Sequence, residues 1–214
     1  MFESIAVSLR RAGLMSAVAA AVAFTALPAF AQQTQVHDSS PLHPPAGSRV
    51  ALVEFVDLEC PDCANAAPVV REAAAKYKIP LVRHDFPLPF HNWSFQAAVN
   101  ARWFDTKSKA LGDDYRDYIF ANQRQIETPG QLTQFTQRFA QAHGQQLPFA
   151  VDPQGKLAGL VKADYALGQR VGIDHTPTIW VVTANSKGAP YMEVLDRSRL
   201  YQMLDQAIAD THGR

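Results

Sequence analysis

Two cysteines, Cys60 and Cys63, stand two residues apart in Cys60-Pro61-Asp62-Cys63, and the 214 residues contain no other. A disulfide between them would close a very short loop and gain little, because the entropic gain of a cross-link grows with loop length. The pair is therefore poorly explained as a structural staple. A cysteine at the start of a helix meets unpaired backbone N–H groups and the positive end of the helix dipole. Both favour the thiolate, which is the nucleophile. A second cysteine one turn further on faces the same side and can attack a mixed disulfide formed at the first, releasing the product. A metal site is the competing chemistry. Two thiolates are half of a closed zinc set, no second C-x-x-C exists, and His84, His91 or His175 could complete a set only through the fold. Copper held by two thiolates is a further alternative.

The surrounding pattern supplies the strand and helix that this chemistry needs. Residues 49–56 are rich in β-branched and apolar side chains and read as a buried strand. Residues 60–77 have helical periodicity, with Pro61 suited to the first turn and Pro68 expected to kink or break the helix. Residues 81–85 form a second short strand, so that strand, helix and strand make a βαβ unit with parallel strands. Residues 92–144 read as wholly helical, with breaks near Leu111-Gly112 and Thr128-Pro129. Their aromatic residues, Trp93, Phe95, Trp103, Phe104, Tyr115, Tyr118, Phe120, Phe135 and Phe139, are expected to pack these helices together. Helix resumes over 153–170, with Pro153 near its start. Residues 178–183 and 191–195 read as strands of an antiparallel hairpin around turn residues 185–190. Residues 197–211 read as an amphipathic helix with Leu200, Leu204 and Ile208 on one face.

Composition narrows the class. Formal net charge is zero and 47% of residues are hydrophobic, the profile of an ordinary globular protein with no basic bias toward nucleic acid. The first residues read as a signal peptide: Arg10 and Arg11, an Ala-rich apolar stretch, and Ala29-Phe30-Ala31 as a small-x-small cleavage site. Cleavage after Ala31 would deliver the protein to the periplasm or another exported, disulfide-permissive setting. Residues 32–48 read as a loose lead-in rich in Gln, Ser and Pro, and no later segment is apolar enough to span a membrane.

The residues at 53–63, Val-Glu-Phe-Val-Asp-Leu-Glu-Cys-Pro-Asp-Cys, and at 171–179, Val-Gly-Ile-Asp-His-Thr-Pro-Thr-Ile, resemble the thioredoxin superfamily. The helical block between them resembles its DsbA-like branch. The likeness runs over about residues 49–211. It implies an α/β thioredoxin fold, βαβ…ββα with a mixed sheet, whose first half is residues 49–91, whose helical insertion is 92–152 and whose second half is 153–214. It implies Cys60 as the attacking cysteine and Cys63 as the resolving one. Thr176 and Pro177 would form a cis-proline loop that offers backbone hydrogen bonds to an extended substrate segment. Glu54 stands where the family keeps a buried acid able to accept the proton of the resolving thiol. An ordinary trans proline at Pro177 and a solvent-facing Glu54 are the plainer alternatives.

The family tunes its redox potential through the residues between the cysteines. Pro61 fits the DsbA-like form, whereas Asp62 and the adjacent Glu59 oppose thiolate formation by like-charge repulsion. Cys60 is therefore expected to be less acidic than its DsbA counterpart and the pair a weaker oxidant, with His175 as a cation that could offset the acids. For His84 and His91 the expectation is structural. The function implied is thiol–disulfide exchange with exported proteins that carry cysteines, chiefly as a disulfide donor. A separate redox recycling partner, which could be membrane-bound, would restore the pair. No cofactor, metal or nucleic acid is implied. The alternatives are a periplasmic reductase or isomerase, for which residues 32–48 are too short to make the usual dimerisation domain, and a non-catalytic thioredoxin-fold chaperone or metal carrier.

Overall fold

The computed structural model describes residues 34–184 and 190–212. The expected leader, its cleavage after Ala31 and all but the end of the expected turn over 185–190 lie outside the described residues. Within them the chain runs as β1 (Val50–Val56), α1 (Pro61–Tyr77), β2 (Leu81–Asp85), α2 (Ser94–Asp105), α3 (Lys109–Asn122), α4 (Pro129–Ala142), α5 (Lys156–Val171), β3 (Thr178–Thr183), β4 (Tyr191–Glu193) and α6 (Leu200–His212). Short 3-10 turns follow α3 at Gln123–Gln125 and precede α6 at Arg197–Arg199.

All seven residues of β1 are buried, which explains its near-continuous apolar run. It lies between β2, parallel with Leu52 opposite Leu81, and β3, antiparallel with Leu52 opposite Val181. β4 completes the order β2-β1-β3-β4. Alternation along β1 divides the core. Val50 and Leu52 pack with Val70 and Ala73 of α1 and with Leu200 and Leu204 of α6. Ala51, Val53 and Phe55 pack on the other face with Trp180, Val182, Phe86 and Val171. Val56, where β1 delivers the chain to the cysteines, joins the aromatic cluster of the helical block. The β1-α1-β2 unit is thus tied to that block at the cysteine end of the sheet.

Several boundaries differ from the sequence reading. α1 runs unbroken through Pro68. The ring removes the donor to the Ala64 carbonyl and crowds that oxygen, but Pro68 is exposed on the outer face of the helix, so the unmet carbonyl is not buried in the core. The helical block breaks at Thr106–Ser108 rather than at Leu111-Gly112. Ser108 caps α3 by accepting the Leu111 N–H at 3.0 Å, and Gly112 lies inside the helix against Asp105. The break at Thr128-Pro129 is present, with a capping box between Thr128 and Gln131. α5 begins at Lys156, three residues after Pro153, because Gly155 adopts a left-handed conformation there and Asp152 accepts the Ala158 N–H at 2.8 Å. β4 ends at Glu193, and a 3-10 turn starts the last helical segment.

The lead-in over residues 34–48 is fastened rather than loose. Thr34 donates its N–H and hydroxyl to the Glu193 carboxylate at 2.9 and 3.1 Å, the His37 N–H reaches the Val171 carbonyl at 2.8 Å, and Leu42 is buried against the sheet. A few specific anchors, hydrogen-bonded and apolar, hold the segment despite its composition. Of the aromatic residues assigned to helix packing, most are buried, but Phe95 is exposed. No helix among the described residues is long and apolar enough to cross a membrane.

Candidate active site

The turn between β1 and α1 carries the cysteines. Cys60 is the N-cap residue of α1, with Pro61 at the first helical position, and Cys63 follows one turn in. Cys60 is 8% exposed and Cys63 is 1% exposed, and both are free thiols. The Cys60 Sγ lies 3.3 Å from the Thr176 carbonyl oxygen, to which its thiol can donate. The Thr176-Pro177 bond that follows is cis. β3 starts at Thr178, and its antiparallel pairing with β1 carries the proline loop across to the cysteine turn. Cys60, Cys63, Thr176 and Pro177, some 110 residues apart in sequence, are thereby brought together.

The two thiols have different proton affinities. The Cys60 pKa is lowered to about 6, chiefly because the Cys63 thiol hydrogen-bonds its sulfur; burial opposes this, and the Thr176 side chain and the backbone N–H groups of Cys63 and Asp62 add to the lowering. Burial pushes the Cys63 thiol well above its ordinary value, and its partnership with Cys60 adds to this. One sulfur is ready to attack near neutral pH and the other holds its proton.

Asp62 forms a bidentate ion pair with Arg197, Nη2 to Oδ1 at 2.7 Å and Nη1 to Oδ2 at 2.8 Å. Arg197 lowers the Asp62 pKa accordingly. Glu59 accepts the backbone N–H groups of Trp93 and Ser94 at 2.7 and 2.9 Å, at the start of α2. Each acid beside Cys60 therefore has its own counter-partner, which softens the like-charge repulsion expected of them. His175 is half-exposed; its Nδ1 lies 2.6 Å from Asp174 and its Nε2 3.8 Å from Glu193. Glu54 is buried and ion-paired with Arg83, its register partner on β2. Arg83 also reaches Asp113 and Asp117 of α3.

Two residues that hold the turn were missed in the sequence. Asp57 is buried and accepts three hydrogen bonds: from the Glu59 N–H at 2.7 Å, from the Leu88 N–H at 2.6 Å and, where the tautomer donates, from His91 Nδ1 at 2.7 Å. Its own N–H points at the Cys63 sulfur at 3.5 Å. Gln123, in the 3-10 turn after α3, donates through Nε2 to the carbonyls of Leu58 and Cys60, both at 2.9 Å. An Asp at the end of a strand is a turn signal, but its partners come from another loop. A Gln in a helical block carries no signal at all. His84 contacts Asp164 at 3.0 Å and stacks on Phe55, so both it and His91 serve the scaffold. Among the described residues no group of three or more His, Cys, Asp or Glu could hold a metal ion. A cleft of about 540 Å³ opens at the cysteine turn between Glu59, Pro61, Trp93, Phe120, Gln123 and Arg124.

Known proteins share this fold. The structure of α-DsbA1 from Wolbachia pipientis superposes with a TM-score of 0.61 at 15% identity, covering 80% of this chain and 89% of that one. DsbA2 from Pseudomonas aeruginosa gives 0.57 at 20% identity, covering 78% and 93%. A periplasmic thioredoxin-like protein from Salmonella enterica gives 0.59 at 17%, covering 81% and 94%. In sequence, the Na(+)/H(+) antiporter NhaA 3 of Salinispora tropica is 25% identical over 171 residues. That match takes in 79% of this chain and 26% of the relative, so the chain spans about a quarter of that protein's length. The thioredoxin family profile matches residues 46–197, from before β1 to the turn that opens α6. The chain therefore belongs to the thioredoxin family, and its fold is the DsbA-like form, with a helical block set between the two halves.

Proposed function

We propose that this protein exchanges disulfides with exported proteins, with Cys60 attacking and Cys63 resolving, and that its net direction is disulfide donation. The observation that carries the reading is the division of labour between the thiols: Cys60, at about 6, sits against the proline loop, while Cys63 is buried and holds its proton. In the donating direction a substrate thiolate attacks Cys60 Sγ of the oxidised pair, and Cys63 leaves and takes a proton. The substrate's second thiolate then attacks the mixed disulfide and expels Cys60 as a thiolate. The substrate loses two electrons and two protons; the pair gains the electrons, one proton stays on Cys63 and one goes to solvent. A stabilised Cys60 thiolate stabilises the reduced pair and so favours donation. Re-oxidation belongs to a separate partner.

The backbone at Thr176 and Pro177 offers an extended substrate segment a place to add as a short strand, and the cleft beside Trp93 and Phe120 takes its side chains. Asp62, paired with Arg197, and His175, beside Asp174, are the tuning groups next to the pair. Glu54 is held by Arg83, so a proton route from Cys63 through Glu54 requires that ion pair to open. Export, with cleavage near Ala31, supplies the oxidising setting.

The test is equilibration of the pair in graded glutathione buffers. A potential toward the oxidising end of the thioredoxin-fold scale, which spans about 150 mV, supports donation; one toward the thioredoxin end makes the protein a reductase. Cys60→Ser abolishes exchange if the reading holds. Chaperone behaviour that is unchanged in that variant would instead favour a binding module that uses only the surface.

A further inference from the structure

Asp62 is a carboxylate placed between the two redox cysteines, where an uncompensated negative charge opposes the thiolate. Its partner comes from far along the chain. Arg197 lies in the 3-10 turn before α6, and its guanidinium meets both carboxylate oxygens of Asp62 in a fork at 2.7 and 2.8 Å. The two side chains are 37% and 53% exposed, so as a structural strut the pair contributes little. Its position is what matters: Asp62 stands between the two cysteines in the first turn of α1, so the fork with Arg197 decides how much of its charge the sulfurs meet. Glu59 faces the α2 amides, Asp57 faces amides and His91, and His175 faces Asp174 and Glu193.

We propose that Arg197 is a positioning residue that sets the redox poise of the Cys60–Cys63 pair by holding and neutralising Asp62. The couple is the disulfide taking two electrons and two protons to give the dithiol, with the Cys60 proton lost near neutral pH. Arg197 acts on the thiolate side of that balance through Asp62, without touching the reacting sulfurs. This inference rests on the pair being a working redox couple.

The two halves of the ion pair have opposite predicted signs, which a structural role does not produce. Asp62→Asn leaves the Arg197 charge unneutralised beside the sulfurs, stabilises the thiolate and makes the pair more oxidising. Arg197→Gln leaves the Asp62 charge and makes it more reducing. The equilibrium constants of the two variants with glutathione are expected to differ by about fivefold, about 20 mV for a two-electron couple. Arg197→Lys keeps most of the native value, and the double variant Asp62→Asn with Arg197→Gln returns close to it. The Cys60 thiolate absorbance titration moves in the same order. Single variants that shift the same way, or not at all, overturn the inference while leaving a wild-type couple that equilibrates intact. A wild-type pair that fails to equilibrate overturns both this inference and the exchange function.

Discussion

The Cys60 thiolate is stabilised first by the Cys63 thiol and then by the Thr176 side chain and the amides at the helix start, and these outweigh the cost of burial. That has a consequence for stability. The folded pKa, about 6, lies below the ordinary value of 9.0 that the unfolded chain retains. A group whose folded pKa is depressed contributes stability that is present in full above the unfolded value and lost as pH falls through the folded one. Cys63 is shifted the other way and stays protonated over this window. The oxidised protein has neither thiol and serves as the baseline. Urea unfolding of both forms should show the reduced form gaining on the oxidised one from pH 6 to pH 8, by up to about 1.4 kcal/mol per pH unit. A gap that stays flat with pH would show that Cys60 has an ordinary proton affinity. At this scale the sequence was legible for the residues that the fold brings together: the spacing of Cys60 and Cys63 and the Thr176-Pro177 dipeptide are local signals. Asp57, Gln123 and Arg197 were not legible, because each acts on the cysteine turn through a contact made only by the fold.

Among the elements, the glycines separate pattern from packing. Gly112 looked like a helix break, yet it sits inside α3 because the turn at Asp105 closes over it. A Cβ there would stand 1.8 Å from Asp105 Oδ1. That carboxylate is held in a fork by Arg116 at 2.9 and 2.8 Å, so it cannot move without breaking the pair. Gly159, inside α5, has nothing within 4 Å of the same added atom. The two substitutions should therefore have opposite signs. Gly112→Ala costs about 1–3 kcal/mol, the usual range for overpacking, while Gly159→Ala gains about 1 kcal/mol from helix propensity. Denaturant midpoints of the two variants check this, and destabilisation of both by the same amount would mean that propensity and not contact governs them. Strands were the better-read elements: residues 81–85 and 178–183 were placed to the residue, since β-branched runs bounded by turn residues are a local signal. The start of α5 and the break between α2 and α3 were misplaced, because Gly155 and Ser108 act through backbone conformation and capping rather than through apolar periodicity.

For the whole molecule, the join between the sheet and the helical block is built from buried charge. Arg102 pairs with Asp85 at 2.5 Å and also with Asp164, and Arg116 pairs with Asp105 at 2.8 Å and lies 3.9 Å from Asp85. Burial pushes the Asp85 pKa up, against the pull of Arg116 and Arg102. Replacing a whole buried network with apolar groups is often neutral, but removing one partner strands the other in a low dielectric. Arg116→Met does the second, leaving Asp85 with Arg102 alone and Asp105 without its fork. The expected loss at pH 7 is about 3–5 kcal/mol. Its pH dependence identifies the cause. With Arg116 gone, the folded pKa of Asp85 rises further above its unfolded value, so the penalty applies only where Asp85 must be charged. It is present in full above that raised folded value and shrinks as pH falls toward the unfolded one, where Asp85 is buried as the neutral acid. The gap between variant and wild type, followed by urea unfolding, should therefore narrow between pH 7 and pH 4. A gap that is the same at both would point to the lost packing of the Arg116 stem between α3 and its neighbours rather than to the stranded charge.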